Sequence, residues 1–223
     1  MKRAESFASS GSQNQVYGLP VCDLDWTGAL DLVNEKACVL EGYTFLSFLT
    51  REKAKRSQVE PNYREILESC LLLPQGKAMN AALRKQGQSM PSGMDEMSFV
   101  MALLTYMAIP KRIGVVGDNA AQVSETLARL RNHAPWHDFV MIHKAMPDTK
   151  VDVLLAGMLN EDQDEWLHAH VSRDTARVVI AVGPLFKILS SEMSGMPEIF
   201  RKLHMTWLYS LCAEPWHIAM GKH

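Results

Sequence analysis

The sequence lacks the long apolar segment, the charge excess and the cysteine spacing that mark several common protein classes. No window of the 223 residues approaches the roughly 18 uncharged apolar residues of a membrane-spanning helix, so any membrane contact is expected at the surface. The 23 basic and 25 acidic residues nearly balance, which argues against nucleic acid as a partner. The four cysteines show no C-x-x-C spacing, which favours reduced core residues in a reducing compartment over a zinc site.

The usual cofactor and nucleophile motifs are also missing. The segment that ends in Gly117 lacks the third glycine of a dinucleotide fingerprint, and no P-loop Lys-Ser/Thr follows it. No G-x-S-x-G elbow presents a nucleophilic serine. His168 and His170 lie two residues apart on a predicted helix, so they point to different faces and are expected at the surface rather than on one metal. No cofactor and no metal are therefore expected.

The composition and the predicted secondary structure change twice along the chain. Residues 1–15 are rich in serine and glutamine and have no apolar h-region, which predicts a disordered leader and a cytoplasmic location. Residues 16–185 alternate strand and helix patterns and are expected to form one α/β domain. From residue 186 onward only helical patterns remain, so residues 186–223 are predicted to form a helical C-terminal appendage.

The alternation in the central part predicts a mainly parallel, Rossmann-like sheet flanked by helices. A long helix is expected from Ser92 or Asp95 to about Met107, and its methionine and apolar stripe favours a core helix over a cofactor box. The predicted strands cover residues 16–24, 43–49, 71–74, 112–116, 139–142, 151–156 and 177–182, and the other predicted helices cover residues 26–38, 61–70, 76–84, 120–133 and 161–171.

Ligands of such sheets bind outside the carboxyl ends of the strands. Here those ends are residues 74–76, 117–119, 157–160 and 183–184, so a pocket is expected along this rim. The turn at Gly117 opens a helix whose free amides suit a phosphate, but Asp118 would repel that anion, which favours an ordinary capped turn.

Charged segments near the rim leave alternatives open. The run at residues 51–56 is interpreted as a solvated loop face, and the segment from Ser57 to Glu60 as a capping box for the helix after Pro61. The acids between residues 161 and 165 form either a cation site or the solvated first turn of a helix, and helix electrostatics favour the solvated turn. Asp95 is either a site carboxylate or an ordinary first-turn residue.

Seven short segments, read in order, carry a resemblance to a known family. They are Thr44-Phe45-Leu46-Ser47, Leu73-Pro74-Gln75-Gly76, Gly93-Met94-Asp95, Val116-Gly117-Asp118, Gln163-Asp164-Glu165-Trp166, Leu185-Phe186-Lys187, and Trp207-Leu208-Tyr209-Ser210-Leu211 with Glu214-Pro215. Their order and spacing over about residues 19–215 resemble the TagA/WecG/CpsF glycosyltransferases. That family transfers N-acetylmannosamine or related sugars from a UDP donor to a lipid-diphosphate-linked acceptor.

The resemblance implies a set of site residues, several of which depart from the family. Gln75 stands where the family has the aspartate thought to act as general base, and an amide cannot take up a proton at neutral pH. Asp95 is then the expected acidic group of catalysis, and Gln75 is expected to hydrogen-bond the donor. The expected substrate-binding residues are Ser47, Gly76, Gly93, Gly117, Asp118, Gln163, Lys187 and His217, of which Ser47, Lys187 and His217 replace an Asn, an Asp and an Arg of the family.

Three functions remain open after these replacements. The first is an inverting glycosyltransferase of bacterial cell-surface polysaccharide synthesis, acting on a UDP-sugar donor and a lipid-linked acceptor at the inner face of the cell membrane. The second is a catalytically silent homologue that binds a nucleotide sugar, a lipid-linked intermediate or a partner protein, and the third is a binding module that shares only the fold. Aromatic and basic side chains of residues 199–216 either contact the bilayer or pack on the core, and the oligomeric state, a homo-oligomer included, stays open.

Overall fold

Among the described residues, six parallel strands form the central sheet, in the order β4-β3-β8-β7-β5-β6. The computed structural model describes residues 13–40, 42–85, 95–143, 150–158 and 162–183, together with Phe186 and Leu189. It confirms the predicted α/β, Rossmann-like fold. The described strands are β1 (Gln13–Val16), β2 (Leu19–Cys22), β3 (Thr44–Leu49), β4 (Leu71–Pro74), β5 (Arg112–Gly117), β6 (Asp138–Met141), β7 (Val151–Gly157) and β8 (Ala176–Ala181), and the described helices are α1 (Trp26–Cys38), α2 (Arg51–Val59), α3 (Pro61–Glu68), α4 (Lys77–Lys85), α5 (Glu96–Tyr106), α6 (Ala120–His133) and α7 (Gln163–His170).

Helices cover both faces of this sheet. Helices α1, α5 and α6 contribute to the hydrophobic cluster on one face, and α2, α3, α4 and α7 to the cluster on the other, together with the β1–β2 hairpin. A strand that is covered on both faces exposes neither face to solvent, so it has no row of polar side chains and appears in the sequence as a continuous apolar run. Strand β3 is the clearest case, because all six of its residues are buried.

Helix α5 lies inside the molecule and brings polar residues into the core. Its methionine and apolar stripe is buried throughout, which confirms the predicted core helix. Its first turn also buries Glu96 and Ser98. Asp95 caps the helix, and its side chain accepts a hydrogen bond from the backbone N–H of Ser98 at 3.0 Å. The helix therefore begins beside the carboxyl ends of the strands with a buried carboxyl group.

Two helices that are capped by a nearby side chain begin where the sequence predicted. The Asp25 side chain accepts from the backbone N–H of Gly28 at 2.7 Å and begins α1, as predicted. The Asn119 side chain accepts from the N–H groups of Ala121 and Gln122 and begins α6, which spans the predicted residues 120–133. The central strands lie within two residues of their predicted ends.

The predicted single strand at residues 16–24 is instead a hairpin. Strands β1 and β2 pair antiparallel, and β1 begins at Gln13, inside the segment predicted to be a disordered leader. The two residues between the strands, Tyr17 and Gly18, have φ values of 55° and 75°. Positive φ at both positions matches the twist of a two-residue hairpin turn, which brings the strands close enough to pair.

The charged run at residues 51–56 is part of a helix and not a loop, so this prediction was wrong. Thr50 caps α2, which continues to Val59. Ser57 lies inside that helix and donates to the backbone oxygen of Ala54 at 2.8 Å, so the predicted capping box is also wrong. Glu60 occupies the N-cap of α3 without a side-chain cap, and Pro61 provides the first helical residue.

The described cysteines do not all lie in the core. Cys70 is buried and Cys22 is partly buried, but Cys38 is exposed at the end of α1, which corrects the prediction for that residue. All three are free thiols. Cys212 lies outside the described residues.

The predicted C-terminal appendage lies almost wholly outside the described residues. Phe186 and Leu189 are described, and both are buried in the core cluster that contains α1, α5 and α6. In the ranges that the structure describes, no helix is long and apolar enough to cross a membrane.

Candidate functional site

A cavity of about 780 Å³ lies at the carboxyl ends of four adjacent strands, β4, β3, β8 and β7. Its walls come from the residues that directly follow these strands, from α2 and α3, and from the first turns of α5 and α7. The residues that line it are Thr50, Glu52, Lys53, Lys55, Arg56, Val59, Glu60, Tyr63, Gln75, Glu96, Met158, Gln163, Asp164 and Gly183. The position agrees with the general rule for ligands of open parallel sheets.

Asp164 organises the polar groups at the base of this cavity. Its side chain is 1% exposed, and Lys53 Nζ lies 2.7 Å from its Oδ2. Tyr63 donates to the same oxygen at 2.8 Å, and Ser47 donates to Oδ1 at 3.1 Å. Lys53 also donates to Ser47 Oγ at 2.8 Å, which closes the network. The solvated-turn interpretation is therefore wrong for Asp164, because a buried carboxylate persists only with such partners.

Arg56 forms a second group of contacts at the edge of the cavity. It donates to Glu60 and Glu165 at 2.8 Å each, and its guanidinium carbon lies 4.1 Å from the centroid of the Tyr63 ring. The stacked geometry is that of a cation–π pair. Arg56 thereby ties α2 to α7 and covers the tyrosine that reaches Asp164.

Two buried oxygens on the cavity have no hydrogen-bond partner among the described residues. They are Oε1 of Gln75 and Oε2 of Glu96. Glu96 is 8% exposed, and burial raises the pKa of its carboxyl from the ordinary 4.5 to about 7. The positive charge of Lys53 opposes this rise in pKa, whereas Asp164 and Asp95 add to it. A buried acceptor without a donor is costly, so both oxygens suit a ligand that brings hydroxyl or amide donors.

Gln163 fixes the turn between β7 and α7. Its Oε1 accepts from the backbone N–H of Met158 at 2.7 Å, and both residues line the cavity. Gly183, after β8, completes this part of the wall. Of the residues that the resemblance implies, Gln75 and Gln163 therefore line the cavity directly, and Ser47 lies behind it on the Asp164 network.

Four other predicted residues take different positions. Asp95 caps α5, where its side chain is engaged by Ser98, and the neighbouring Glu96 faces the cavity instead. Gly76 has a φ of 91° and starts α4, so it serves the turn after Gln75. Gly117 and Asp118 are absent from the cavity wall.

The ring of Phe186 fills part of the sheet edge at which the pocket was expected. A Cβ atom built on Gly157 would lie 2.3 Å from this ring, and one built on Gly117 would lie 3.1 Å from it. The carboxyl ends of β5 and β7 are therefore packed against Phe186, and the open space lies toward Gln75 and Gly183. Gly93, Lys187 and His217, also predicted, lie outside the described residues.

Sequence reasoning missed Lys53, Arg56, Tyr63 and Glu96. One available signal was spacing, since Lys53 and Arg56 are three residues apart and share a helix face once residues 51–59 are recognised as helical. Another was Glu96 itself, an acid at the start of an otherwise apolar helix. His168 and His170 are exposed, as expected. Within the described ranges, no group of three His, Cys, Asp or Glu residues is arranged to hold a metal ion.

The fold and the cavity define an α/β protein with a candidate ligand site at the carboxyl edge of a parallel sheet. Comparison with known families makes this more specific: the glycosyl transferase WecG/TagA/CpsF family matches residues 14–220. The chain belongs to this family, which confirms the resemblance seen in the sequence.

Curated relatives match over a shorter stretch. Proteins named N-acetylglucosaminyldiphosphoundecaprenol N-acetyl-beta-D-mannosaminyltransferase from Staphylococcus aureus strains MRSA252, NCTC 8325 / PS 47 and COL are each 32% identical to the chain over 60 residues. These residues are 27% of this chain and 24% of each relative. The chain thus aligns with about a quarter of the length of the curated relatives.

Proposed function

We propose that this protein is a glycosyltransferase of bacterial cell-surface polysaccharide synthesis that transfers an N-acetylmannosamine-like sugar from a UDP donor to a lipid-diphosphate-linked acceptor. Membership of the family supports the reaction class. The names of the Staphylococcus aureus relatives support the choice of sugar and acceptor. The cavity beside Gln75 and Glu96 is the site to which we assign the reaction.

The observation that carries this proposal is the pair of unpartnered buried oxygens on the cavity, Gln75 Oε1 and Glu96 Oε2. The donor sugar and the acceptor sugar both present hydroxyl groups, each of which donates one hydrogen bond, so the two bound substrates together would satisfy both acceptors. The polar network around Asp164 fixes the wall against which the sugar would lie. An apolar ligand of the same volume would leave both oxygens unpaired and would bind more weakly.

Charge around the cavity suits the diphosphate of the donor only in part. Lys53 and Arg56 are engaged by carboxylates, whereas Lys55 is exposed on the cavity wall. In our proposal Lys55 supplies one cation, and Lys187 and His217 supply the rest, in place of the forked arginines of the family. In the same proposal, transfer to a lipid-linked acceptor takes place at the inner face of the cell membrane, and residues 199–216 either contact the bilayer or pack on the core.

A second candidate function is a silent homologue that binds the nucleotide sugar without turnover. The observation in its favour is Gln75, an amide where the resemblance places the family's general base. The two candidates make the same prediction for donor binding and opposite predictions for release of UDP.

Calorimetry of the full chain with UDP-N-acetylmannosamine, UDP-N-acetylglucosamine and UDP tests binding. The variant Gln75→Met removes the acceptor at similar volume and is expected to weaken sugar-nucleotide binding roughly 2- to 10-fold, the range of one neutral hydrogen bond. The matched change Gln58→Met, at an exposed position of α2, is expected to leave affinity unchanged. UDP release is then followed with a short-chain N-acetylglucosaminyl diphospholipid as acceptor. Failure to bind any of the three nucleotides contradicts both candidates, and binding without release of UDP favours the silent homologue.

A further inference from the structure

Glycosyl transfer to a hydroxyl group needs a proton acceptor near the attacking oxygen, and four carboxyl groups line the cavity. Asp164 is the most buried of them, but its oxygens already accept from Ser47, Tyr63 and Lys53. These three donors occupy both oxygens of the carboxylate, so neither oxygen is open to a hydroxyl group of a bound acceptor. Asp164 is therefore a structural group of the site.

Glu60 and Glu52 are also poor candidates for the proton acceptor. Glu60 is held by Arg56 at 2.8 Å. Glu52 is exposed, and a hydrogen bond from its own backbone N–H lowers its pKa, with a further contribution from the Thr50 side chain. A base with a lowered pKa takes up protons poorly at neutral pH.

Glu96 combines burial with an oxygen that no described residue engages, which none of the other three does. It is nine-tenths buried, and its Oε2 has no hydrogen-bond partner among the described residues. It begins α5 directly after the N-cap Asp95, so the backbone at this position is fixed by the cap. Its oxygen is on the same cavity as the unpartnered oxygen of Gln75.

We propose that Glu96 is the general base of the transfer reaction, an inference that rests on the proposed function. The acceptor hydroxyl oxygen forms a bond to the anomeric carbon of the donor sugar, and the bond from that carbon to the diphosphate oxygen breaks. The electron pair of the broken bond leaves with UDP. The hydroxyl proton passes to Glu96 Oε2 and is later lost to solvent. Gln75, which cannot take the proton, accepts a hydrogen bond from a hydroxyl of the sugar.

The surroundings of Glu96 set the pH range in which it works. The charges that act on its pKa are Lys53 from α2, Asp164 from α7 and Asp95 at the start of its own helix. The other titratable groups on the cavity are Glu52, Lys55, Arg56, Glu60 and Tyr63. With a pKa of about 7, raised mainly by burial, Glu96 is charged and able to accept a proton above neutral pH. Turnover is therefore expected to fall about tenfold for each pH unit below 7.

The test measures UDP release by the full chain with UDP-N-acetylmannosamine and a short-chain N-acetylglucosaminyl diphospholipid. The change Glu96→Gln is expected to lower kcat by roughly 10²- to 10⁴-fold, the usual contribution of a general base, and to abolish the fall in rate below pH 7. UDP affinity, measured by calorimetry, is expected to stay within about twofold, which shows that the variant is folded. Glu35→Gln, the same change on the exposed face of α1, is the matched control and is expected to keep the rate and the pH profile of the unaltered chain.

The outcomes separate this inference from the proposed function. Transfer by the unaltered chain together with full kcat in Glu96→Gln overturns the assignment of Glu96 and leaves the proposed function intact. UDP binding without transfer by the unaltered chain overturns transferase activity and, with it, the general base. If Glu96→Gln does not fold, Glu96→Asp keeps a carboxylate and is expected to lower kcat while retaining a fall in rate at acid pH, and a flat pH profile in that variant rejects the inference.

Discussion

Burial of Glu96 makes a prediction about stability that does not depend on any substrate. The carboxyl group has a pKa of about 7 in the folded protein and an ordinary value of 4.5 when the chain is unfolded. The folded state therefore holds this proton more tightly than the unfolded state does. Between pH 4.5 and pH 7 the unfolded chain gives the proton up first, so the contribution of Glu96 to stability is fully present below pH 4.5 and is lost as pH rises toward 7.

Glu96→Gln keeps the shape of the side chain and removes the ionisation. The difference between the two pKa values corresponds to roughly 3 kcal/mol, at 1.36 kcal/mol for each pH unit. Glu96→Gln is thus expected to be more stable than the unaltered chain by about this amount at pH 8 and to lose the advantage progressively toward pH 4.5. An amide is the better occupant of this position above neutral pH because it does not have to be charged.

The measurement is urea unfolding of both chains at pH 5, 6, 7 and 8, with the free energies of unfolding subtracted at each pH. Other groups titrate alike in the two chains, so the difference isolates Glu96. Glu35→Gln, an exposed change, is expected to give a difference near zero at every pH. Parallel curves for Glu96→Gln and the unaltered chain, or a loss of stability at pH 8, would refute the reasoning that Glu96 is buried without a compensating partner.

Two further substitutions test the packing of the site. Asp164→Asn takes the charge from a buried carboxylate and leaves its lysine partner unpaired, so we expect a loss of about 3 kcal/mol in the free energy of unfolding. Asp162→Asn, at a side chain that is 70% exposed, should change stability little, and equal losses in the two variants would exclude the Asp164 network. Gly157→Ala places a Cβ against the Phe186 ring and should cost about 2 kcal/mol by urea unfolding. Gly183→Ala, whose Cβ would meet its nearest neighbour at an ordinary 3.5 Å, is the control, and an unchanged midpoint for Gly157→Ala would show that Phe186 does not pack there.

The elements that could be predicted are those whose signals are local. Helix α6 has an Asn119 cap and apolar residues at helical spacing, and it spans the residues that were predicted. The buried strands could be predicted because a short apolar run between turn residues is typical of a buried strand. Helix α2 was missed because five of the six residues from 51 to 56 are charged, and nothing within residues 51–56 indicates that α3 and α7 lie beside it.

The cavity lies at the sheet edge where a pocket was predicted, but the residues that line it differ in part from those predicted. Gln75 and Gln163 were named from the sequence because they lie in motifs that follow strands, and both line the cavity. Glu96 was passed over for its neighbour Asp95, since one residue of difference at a helix start decides which carboxyl caps the helix and which faces the cavity. Phe186 was not expected between Gly117 and Gly157, because no local pattern predicts which ring fills the space left by a glycine.

The sequence alone determined the parallel α/β architecture, the family, and the edge of the sheet at which a ligand site would lie. These follow from the spacing of apolar residues, from turn residues and from short motifs in order, and each of these signals comes from residues that are close in the chain. Only the tertiary structure decided which polar groups meet there. Ser47 and Asp164 are 117 positions apart, and their hydrogen bond exists because β3 lies two strands from β7, whose following helix begins at the same sheet edge. Which carboxylates are paired and which is left free depends on those distant contacts, and so does the chemistry of the cavity.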